Sequence, residues 1–242
     1  MGTFGRDNPS IPFWEREAER YAGHVHDSRA AYHEGRLRTA DRLIELAGLP
    51  AGARVVDFGC GDGVYARRLA ARGLSVVGID PAAPMIDLAR EGDPAGTAEY
   101  RVGGAADLVS AGPFDAVVAL NVLAYMTDAE MTQFWAGLAN GLVSGGLLLV
   151  SHSNELFDEF SPRRPDLPSY NVRAHPLTYH EVLAAHGLEQ VAQAFFNFHP
   201  LPPAQLGEGD AGRIVDPDEI AAKPLEQQQR QSSTLFAVAR RP

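Results

Sequence analysis

The amino-acid sequence predicts an α/β fold: a doubly wound, mostly parallel sheet of seven strands with helices on both faces. Between residues 53 and 151, short apolar segments alternate with segments of helical periodicity, as in repeated strand–helix units. The apolar segments are nearly continuous, which is typical of parallel strands buried on both faces. A chain of 242 residues is long enough for one such domain with a covering element.

The individual elements follow from the spacing of apolar residues. Residues 13–49 repeat apolar side chains at helical spacing and predict an N-terminal helical cover, which Gly48 and Pro50 end. Strands are predicted at residues 55–58, 74–79, 98–102, 114–120, 147–151, 188–198 and 235–239, and helices at 65–72, 85–90, 128–143 and 177–186. The right-handed crossover between successive parallel strands makes such a sheet doubly wound.

We therefore expect a single domain over residues 1–242. Residues 1–50 form its helical cover, and residues 53–199 and 234–240 form its sheet core. Residues 200–232 are rich in proline, glycine, glutamine and acidic residues, and they predict a lid or mobile loop between the last two strands, with disorder as the alternative.

Composition excludes several classes of function. Acidic residues number 31 and basic residues 21, giving a formal net charge of -10, which disfavours a nucleic-acid partner. The single cysteine, Cys60, cannot form an internal disulfide. The absence of an apolar signal core and of a long apolar run predicts a cytoplasmic protein without a membrane partner. The histidines match no zinc spacing, so no metal is expected, and a homodimer is left open.

A glycine-rich turn follows the first predicted strand and carries the strongest functional signal. The segment reads Asp57-Phe58-Gly59-Cys60-Gly61-Asp62-Gly63. A dinucleotide-binding fingerprint would need glycine or alanine where Val64 stands, and the Asp57 carboxylate would repel a pyrophosphate. A carboxylate there suits a cationic group, while Asp80, at the end of the second strand, suits ribose hydroxyls. An adenosine that carries an ammonium group would satisfy both acids.

On these motifs the chain resembles the class I S-adenosylmethionine-dependent methyltransferases of the small-molecule type, whose fold is Rossmann-like. Residues 55–63 resemble the first motif of that family and residues 76–80 the second. Residues 114–121 resemble the fourth-strand motif, and residues 142–150 the segment in which glycines lead into the fifth strand. The resemblance implies S-adenosylmethionine as cofactor and S-adenosylhomocysteine as product.

The resemblance also implies which residues hold the cofactor. Asp57 and the glycines surround the methionine part, Asp80 binds the ribose, and Asn121 lies beside the methionine part. Residues 104–108 resemble the adenine-contacting loop, although the family often has an acid where Gly104 stands, so this contact rests on Asp107 or on backbone. The expected cofactor-binding set is Asp57, Gly59, Cys60, Gly61, Asp80, Pro81, Ala106, Asp107 and Asn121. For Asp62 a helix cap is the alternative, and for Gly63 a close helix–strand contact.

Candidates for catalysis and acceptor binding lie on the loops after the strands and on the covering helices. His152, after the fifth strand, is the first candidate for a general base, and His199, after the sixth, is the second. A structural role is the alternative for both. Tyr21, Tyr125 and Arg173 are the expected substrate-binding residues, and Arg36 is a candidate partner for the carboxylate of the cofactor.

The function expected from the sequence is methylation of a hydroxyl or an amine on a small-molecule acceptor, either a natural product or a sugar. Two alternatives remain open. One is an NAD(P)-dependent oxidoreductase, which Val64 and Asp57 disfavour. The other is a non-catalytic regulatory module that binds S-adenosylmethionine, which would need the same cofactor pocket.

Overall fold

The computed structural model describes residues 8–24, 30–158, 173–200 and 214–242. Its strands are β1 (Arg54–Phe58), β2 (Ser75–Asp80), β3 (Glu99–Val102), β4 (Phe114–Leu120), β5 (Leu142–Asn154), β6 (Arg173–Ala174), β7 (Glu189–Phe198) and β8 (Ser232–Arg240). Its α-helices are α1 (Ser10–His24), α2 (Ala30–Ala47), α3 (Val64–Ala70), α4 (Ala83–Glu91), α5 (Leu108–Ala111), α6 (Asp128–Gly141), α7 (Glu155–Asp158), α8 (Tyr179–Ala185), α9 (Pro217–Ala221) and α10 (Leu225–Gln231).

One sheet runs through the described residues in the order β3-β2-β1-β4-β5-β8-β7. Strands β1 to β5 are parallel to one another, and β8 is antiparallel to both β5 and β7. The prediction of a doubly wound, mostly parallel seven-stranded sheet is confirmed. The two-residue strand β6, which pairs with the end of β5, was not predicted. The strand order reverses between β1 and β4, so a ligand site is expected at their carboxyl ends.

The sheet is buried on both faces, as the continuous apolar strands require. Val117 and Leu148 pack on one side with Phe134 of α6. Val118 and Leu149 pack on the other side, in a second buried cluster that includes apolar residues of α2 and α3. Burial of both faces explains why the strands carry no alternating polar pattern.

The two N-terminal helices cover the end of the sheet that is formed by the carboxyl ends of β1 and β4. Ala18 of α1 is buried against Ala82 and Met85, at the start of α4. Helix α2 lies close to the segment before α9, since a Cβ on Gly35 would stand 2.1 Å from the Val215 carbonyl oxygen. The predicted helical cover is therefore present in the residues that the structure describes.

The predicted lid over residues 200–232 is described only in part. Residues 214–231 contain the short helices α9 and α10, and Arg38 of α2 pairs with Asp216 at 3.0 Å and with Asp218 at 3.1 Å. Residues 201–213 lie outside the described residues, so the role of this segment as a lid stays a prediction. Among the described helices, none is long and apolar enough to cross a membrane.

Candidate active site

A cavity of about 610 Å³ lies at the carboxyl ends of β1, β2 and β4, beneath α1 and the first turns of α2. Four groups of residues line it. The strand ends contribute Asp57 through Asp62, Asp80 and Pro81; the loop after β3 contributes Gly104 and Ala105; the loop after β4 contributes Asn121, Val122, Tyr125 and Met126; and the helical cover contributes Asn8, Ile11, Trp14, Tyr32, His33 and Arg36. Seven of the nine cofactor-binding residues expected from the sequence therefore line this cavity.

Gly59, Gly61 and Gly63 follow β1 and all have positive φ, but Gly61 and Gly63 have different surroundings. A Cβ on Gly61 (φ 54°) would meet nothing within 4 Å, so its backbone faces open space in the cavity. A Cβ on Gly63 (φ 72°) would stand 2.7 Å from the Tyr100 ring and 2.9 Å from the Ala89 side chain. Gly61 thus leaves room for a ligand, whereas Gly63 allows close helix–strand packing, the alternative that the sequence left open.

Asp57 is a buried acid with one oxygen left over. Its side chain is 3% exposed, and its Oδ2 atom has no hydrogen-bond partner. Burial, followed by the negative charge of Asp80, raises the pKa of Asp57 to about 7, and Arg36 opposes this shift. An uncompensated buried carboxylate is costly, and a cationic ligand group in the cavity would supply the missing partner.

Asp80 connects the glycine loop to the start of α4. Its two oxygens accept hydrogen bonds from the backbone N–H groups of Gly61 (3.0 Å) and Ala82 (2.9 Å). Burial raises the pKa of Asp80 to about 6. Each carboxylate oxygen can accept a second hydrogen bond, so Asp80 can hold the loop and still accept from ligand hydroxyls.

Arg36 lines the same cavity from α2, opposite in charge to Asp57. Its Nε atom is buried and has no hydrogen-bond partner in the structure. Two unpartnered buried atoms of opposite charge type therefore lie around one cavity. The amino group of an amino acid could bind Asp57, and its carboxylate could bind Arg36. The two unpartnered atoms therefore fit the methionine part of such a cofactor.

The adenine side departs from the sequence-based expectation. Ala106 and Asp107 are not among the residues that line the cavity, whereas Gly104 and Ala105 are. The Asp107 carboxylate folds back and accepts a hydrogen bond from the Gly104 N–H at 2.9 Å, and Ala106 is exposed on the outside of this turn. Backbone at Gly104 and Ala105, the other option that the sequence left, faces the cavity.

Asn121 sits at the end of β4 with a positive φ of 56°, an uncommon conformation for a residue other than glycine. Ser151 holds it there: its Oγ accepts from the Asn121 backbone N–H and donates to the Asn121 Oδ1, each at 2.9 Å. Such backbone strain is often found at functional sites. Gly59, Cys60 and Pro81 also line the cavity, as expected from the sequence.

Neither predicted general base lies at the cavity. His152 is 2% exposed, and its Nε2 is 2.5 Å from the Tyr179 hydroxyl oxygen inside the core. Burial lowers the pKa of His152 to about 4. The reason is that β5 continues to Asn154 through its pairing with β8, so His152 lies within a strand and not in a loop after it. His199 packs its ring 4.9 Å from the Phe157 ring, also away from the cavity.

The predicted substrate-binding residues have different outcomes. Tyr125 lines the cavity, and its ring meets the Trp14 ring edge-on, with centroids 5.3 Å apart. The side chains of Tyr21 and Arg173 lie outside the described residues. Within the described ranges, no group of three or more histidine, cysteine or acidic side chains could hold a metal ion.

Sequence reasoning missed several residues that line the cavity, among them Asn8, Trp14 and His33. Trp14 entered the sequence analysis only as part of a helical repeat. His33 follows Tyr32 on α2 and lies one turn before Arg36, so the choice of Arg36 as a cofactor partner could have pointed to it. Nothing in the local pattern around Asn8 marks it.

Open glycine backbone, two buried carboxylates and a strand-order reversal together define an α/β protein that binds an adenosine-type cofactor with a positive charge. Residues 55–146 match a family model described as a methyltransferase domain. A ubiquinone biosynthesis O-methyltransferase of Rhizobium etli (strain CFN 42) is 30% identical over 195 residues, covering 74% of each chain. The chain therefore belongs to the class I S-adenosylmethionine-dependent methyltransferases, enzymes whose cofactor is S-adenosylmethionine.

Two further comparisons show how far this similarity extends. A ubiquinone biosynthesis O-methyltransferase of Azorhizobium caulinodans is 37% identical over 114 residues, which span 46% of this chain and 44% of that relative. The crystal structure of the N-methyltransferase NodS from Bradyrhizobium japonicum, in complex with S-adenosylhomocysteine, has a TM-score of 0.65 and 18% identity, and covers 98% of this chain and all of that one (100%). The second similarity concerns the fold alone.

Proposed function

We propose that this chain methylates a hydroxyl group of an uncharged, flat and largely apolar small molecule, with S-adenosylmethionine as methyl donor. The observation that carries the proposal is one cavity with two kinds of wall. Its inner wall has the unpartnered Asp57 oxygen and the open Gly61 backbone. Its outer wall is aromatic, with Trp14 and Tyr125 edge to face.

The inner wall fits the cofactor group by group. Asp57 is proposed to accept from the ammonium group, Arg36 to donate to the carboxylate, and Asp80 to accept from the ribose hydroxyls. Gly104 and Ala105 replace Ala106 and Asp107 as the proposed adenine contacts. When bound, the cofactor supplies an electrophilic methyl group on a sulfonium; the chain aligns the acceptor with that methyl group and excludes water.

The charge of the cavity favours a neutral acceptor. Five acids and one arginine are found among the described residues that line it: Glu34, Asp57, Asp62, Asp80, Glu130 and Arg36. Glu34 is paired with Arg68 at 2.7 Å, but the excess of carboxylates would repel an anionic acceptor. A sugar would need many polar partners, and the aromatic outer wall offers few, so a hydroxylated natural product is the better fit.

A hydroxyl acceptor is proposed over an amine because the sequence relatives reported above are named O-methyltransferases. A hydroxyl must lose a proton as it is methylated, and a nearby imidazole is the usual side chain for that role. We assign this role to His33, since it is the histidine among the described cavity-lining residues. His152 and His199 are proposed to be structural.

The proposal is tested with isotope-labelled S-adenosylmethionine and matched pairs of acceptors, such as catechol and 1,2-diaminobenzene or 1-naphthol and 1-naphthylamine. We expect methylation of oxygen in each pair, and a rate that His33→Gln lowers at least tenfold below pH 8 while calorimetric affinity for S-adenosylhomocysteine stays unchanged. Preference for the amines would contradict the choice of hydroxyl.

The same experiment, with calorimetry on NAD added, separates the two alternatives. Binding of S-adenosylhomocysteine without transfer to any acceptor would favour the non-catalytic regulatory module. Binding of NAD without S-adenosylhomocysteine would favour the oxidoreductase, which the geometry of Asp57 opposes. A cytoplasmic location and a homodimer stay predictions from the sequence.

A further inference from the structure

Asn8 joins two parts of the chain that are more than a hundred residues apart. It is 6% exposed, just before α1. Its Nδ2 donates to the Tyr125 carbonyl oxygen at 3.0 Å and to Glu130 Oε2 at 2.6 Å, and its Oδ1 accepts from the Ser10 backbone N–H at 2.9 Å. We call these three hydrogen bonds the Asn8 bridge.

The chemistry of the bridge demands an amide at this position. The oxygen caps the start of α1, as asparagine commonly does at helix N-termini, and both hydrogens of the nitrogen face acceptors from the loop after β4 and the start of α6. The Glu130 oxygen also accepts from the Thr127 backbone N–H and hydroxyl, at 2.8 and 2.9 Å. An aspartate at position 8 would keep the cap but set one carboxylate against another.

The bridge ends at the outer wall of the cavity. Tyr125, whose carbonyl it holds, contacts Trp14 of α1 through its ring, at 5.3 Å between centroids. Asn8, Trp14, Tyr125 and Glu130 all line the cavity. The bridge is therefore a polar connection, and the ring pair an apolar one, between α1 and the loop after β4.

We propose that Asn8 is a positioning residue for the acceptor: it seats α1 so that Trp14 and Tyr125 form one continuous wall. This inference rests on the proposed function in so far as the acceptor lies against that wall. The inner wall, with Asp57 and Asp80, belongs to β1 and β2 and does not depend on the bridge. Loss of the bridge should therefore weaken acceptor binding and leave cofactor binding nearly unchanged.

Trp14 provides a spectroscopic probe of the bridge. The chain has two tryptophans, and Trp135→Phe leaves Trp14 as the sole tryptophan, whose emission can be excited apart from that of the tyrosines. In that background we expect Asn8→Asp to shift Trp14 emission to longer wavelength and to raise quenching by acrylamide at least twofold. The KM for the best phenol of the acceptor panel should rise about tenfold, with kcat and the Kd for S-adenosylhomocysteine changed less than threefold.

Rescue distinguishes the bridge from general loss of stability. In the double variant Asn8→Asp with Glu130→Gln, the amide at position 130 can donate to the carboxylate at position 8. We expect the double variant to reverse at least half of the rise in KM, on a logarithmic scale. Asn140→Asp is the matched control, because the Asn140 Nδ2 donates to the Ala136 carbonyl oxygen at 2.7 Å on the exposed face of α6, away from the cavity.

Unchanged acrylamide quenching in Asn8→Asp, or equal changes in Asn140→Asp, would overturn the proposal. Asn8→Ser keeps a capping oxygen without the amide donors and replaces Asn8→Asp if that variant does not fold. If the unaltered chain methylates no acceptor, the proposed function fails, but the fluorescence measurements still support or overturn the bridge.

Discussion

Two buried titratable side chains in neighbouring regions of the sheet, Asp57 on β1 and His152 on β5, have opposite relations to the cavity. Both lie near the carboxyl end of a parallel strand and both are at most 3% exposed. Asp57 lines the cavity with an oxygen that has no partner, whereas His152 meets the Tyr179 hydroxyl inside the core. Position at the end of a strand therefore does not suffice to place a residue in a binding site. The residue must also lie beside open space that a ligand can fill.

The electrostatics of the two groups sharpen this contrast. Burial raises the pKa of Asp57 to about 7 and lowers that of His152 to about 4, so each shift opposes the charged form. A neutral imidazole avoids the cost of a buried charge and keeps the Tyr179 hydroxyl as the partner of its Nε2, although its buried Nδ1 has no hydrogen-bond partner. The Asp57 carboxylate, beside Asp80, is stabilised when a cation arrives, which is how a binding site trades stability for affinity.

The largest effect is expected from Asp57→Asn. The change removes the charged acceptor for the cofactor ammonium group, and hydrogen bonds to charged groups contribute roughly 1.5–3 kcal/mol. Affinity for S-adenosylhomocysteine, measured by calorimetry, should fall about 10- to 100-fold. The free energy of unfolding of the ligand-free protein at pH 8 should not fall, because a buried charge is lost. A fall in stability with retained affinity would contradict the role given to Asp57.

The next effect is the pH dependence of cofactor binding. The ammonium group needs an ionised Asp57, so binding releases a proton, and affinity should fall by up to about tenfold per pH unit below pH 7. Calorimetry in buffers of different ionisation enthalpy measures the released proton directly. Asp80, whose pKa burial raises to about 6, adds to the loss at lower pH. Asp57→Asn is the control and should bind with a flatter pH profile.

Asp57 also makes the free energy of unfolding depend on pH, in the direction opposite to that of cofactor affinity. Its pKa in the native state lies above its ordinary value of 3.8, so the native state holds a proton that the unfolded chain releases. The stability from this group is present below about pH 4 and is lost as pH rises towards 7. Urea unfolding of the ligand-free protein across this range, with Asp57→Asn as comparison, checks it; a contribution from Asp57 that rises with pH would contradict the assignment.

A smaller effect separates two glycines of the loop. Gly61→Ala should weaken cofactor affinity by roughly five- to tenfold, because its methyl group enters the cavity, while the strain of alanine at positive φ, about 1–2 kcal/mol, lowers the free energy of unfolding. Gly63→Ala carries the same strain but meets Tyr100 and Ala89, so its loss should be mainly in the free energy of unfolding. If both changes had equal effects on affinity and on stability, the assignment of Gly61 to ligand binding and of Gly63 to packing would be wrong.

Most of the sheet could be predicted from sequence because its signals are local. Continuous apolar runs placed β4 at residues 114–120 as observed, and the glycine motif located the turn after β1. The extension of β5 to Asn154 could not be predicted, since it depends on antiparallel pairing with β8 about eighty residues later. His152 was misplaced for that reason: its own neighbourhood in sequence reads as a loop.

The site divides in the same way. Asp57, Gly61 and Asp80 lie at strand ends that the pattern marks, and the structure brings them to one cavity. The outer wall brings together Asn8 and Tyr125, which are 117 positions apart, and no periodicity reports a contact of that range. Most of the residues proposed to bind the cofactor are thus marked in the sequence, as is Tyr125, while the contacts that build the acceptor side need the tertiary structure.

The smallest functional effect, and the sharpest test of the contrast with Asp57, is expected from Tyr179→Phe. The change leaves His152 Nε2 without its partner in the core and should cost about 1–3 kcal/mol of unfolding free energy, measured in urea. Cofactor affinity and the pH profile of methyl transfer should stay the same, because neither side chain lines the cavity. Phe195→Leu, a nearby buried change in the same cluster, controls for general loss of packing. An altered pH profile in Tyr179→Phe alone would return His152 to the reaction and show that burial away from the cavity does not exclude a catalytic role.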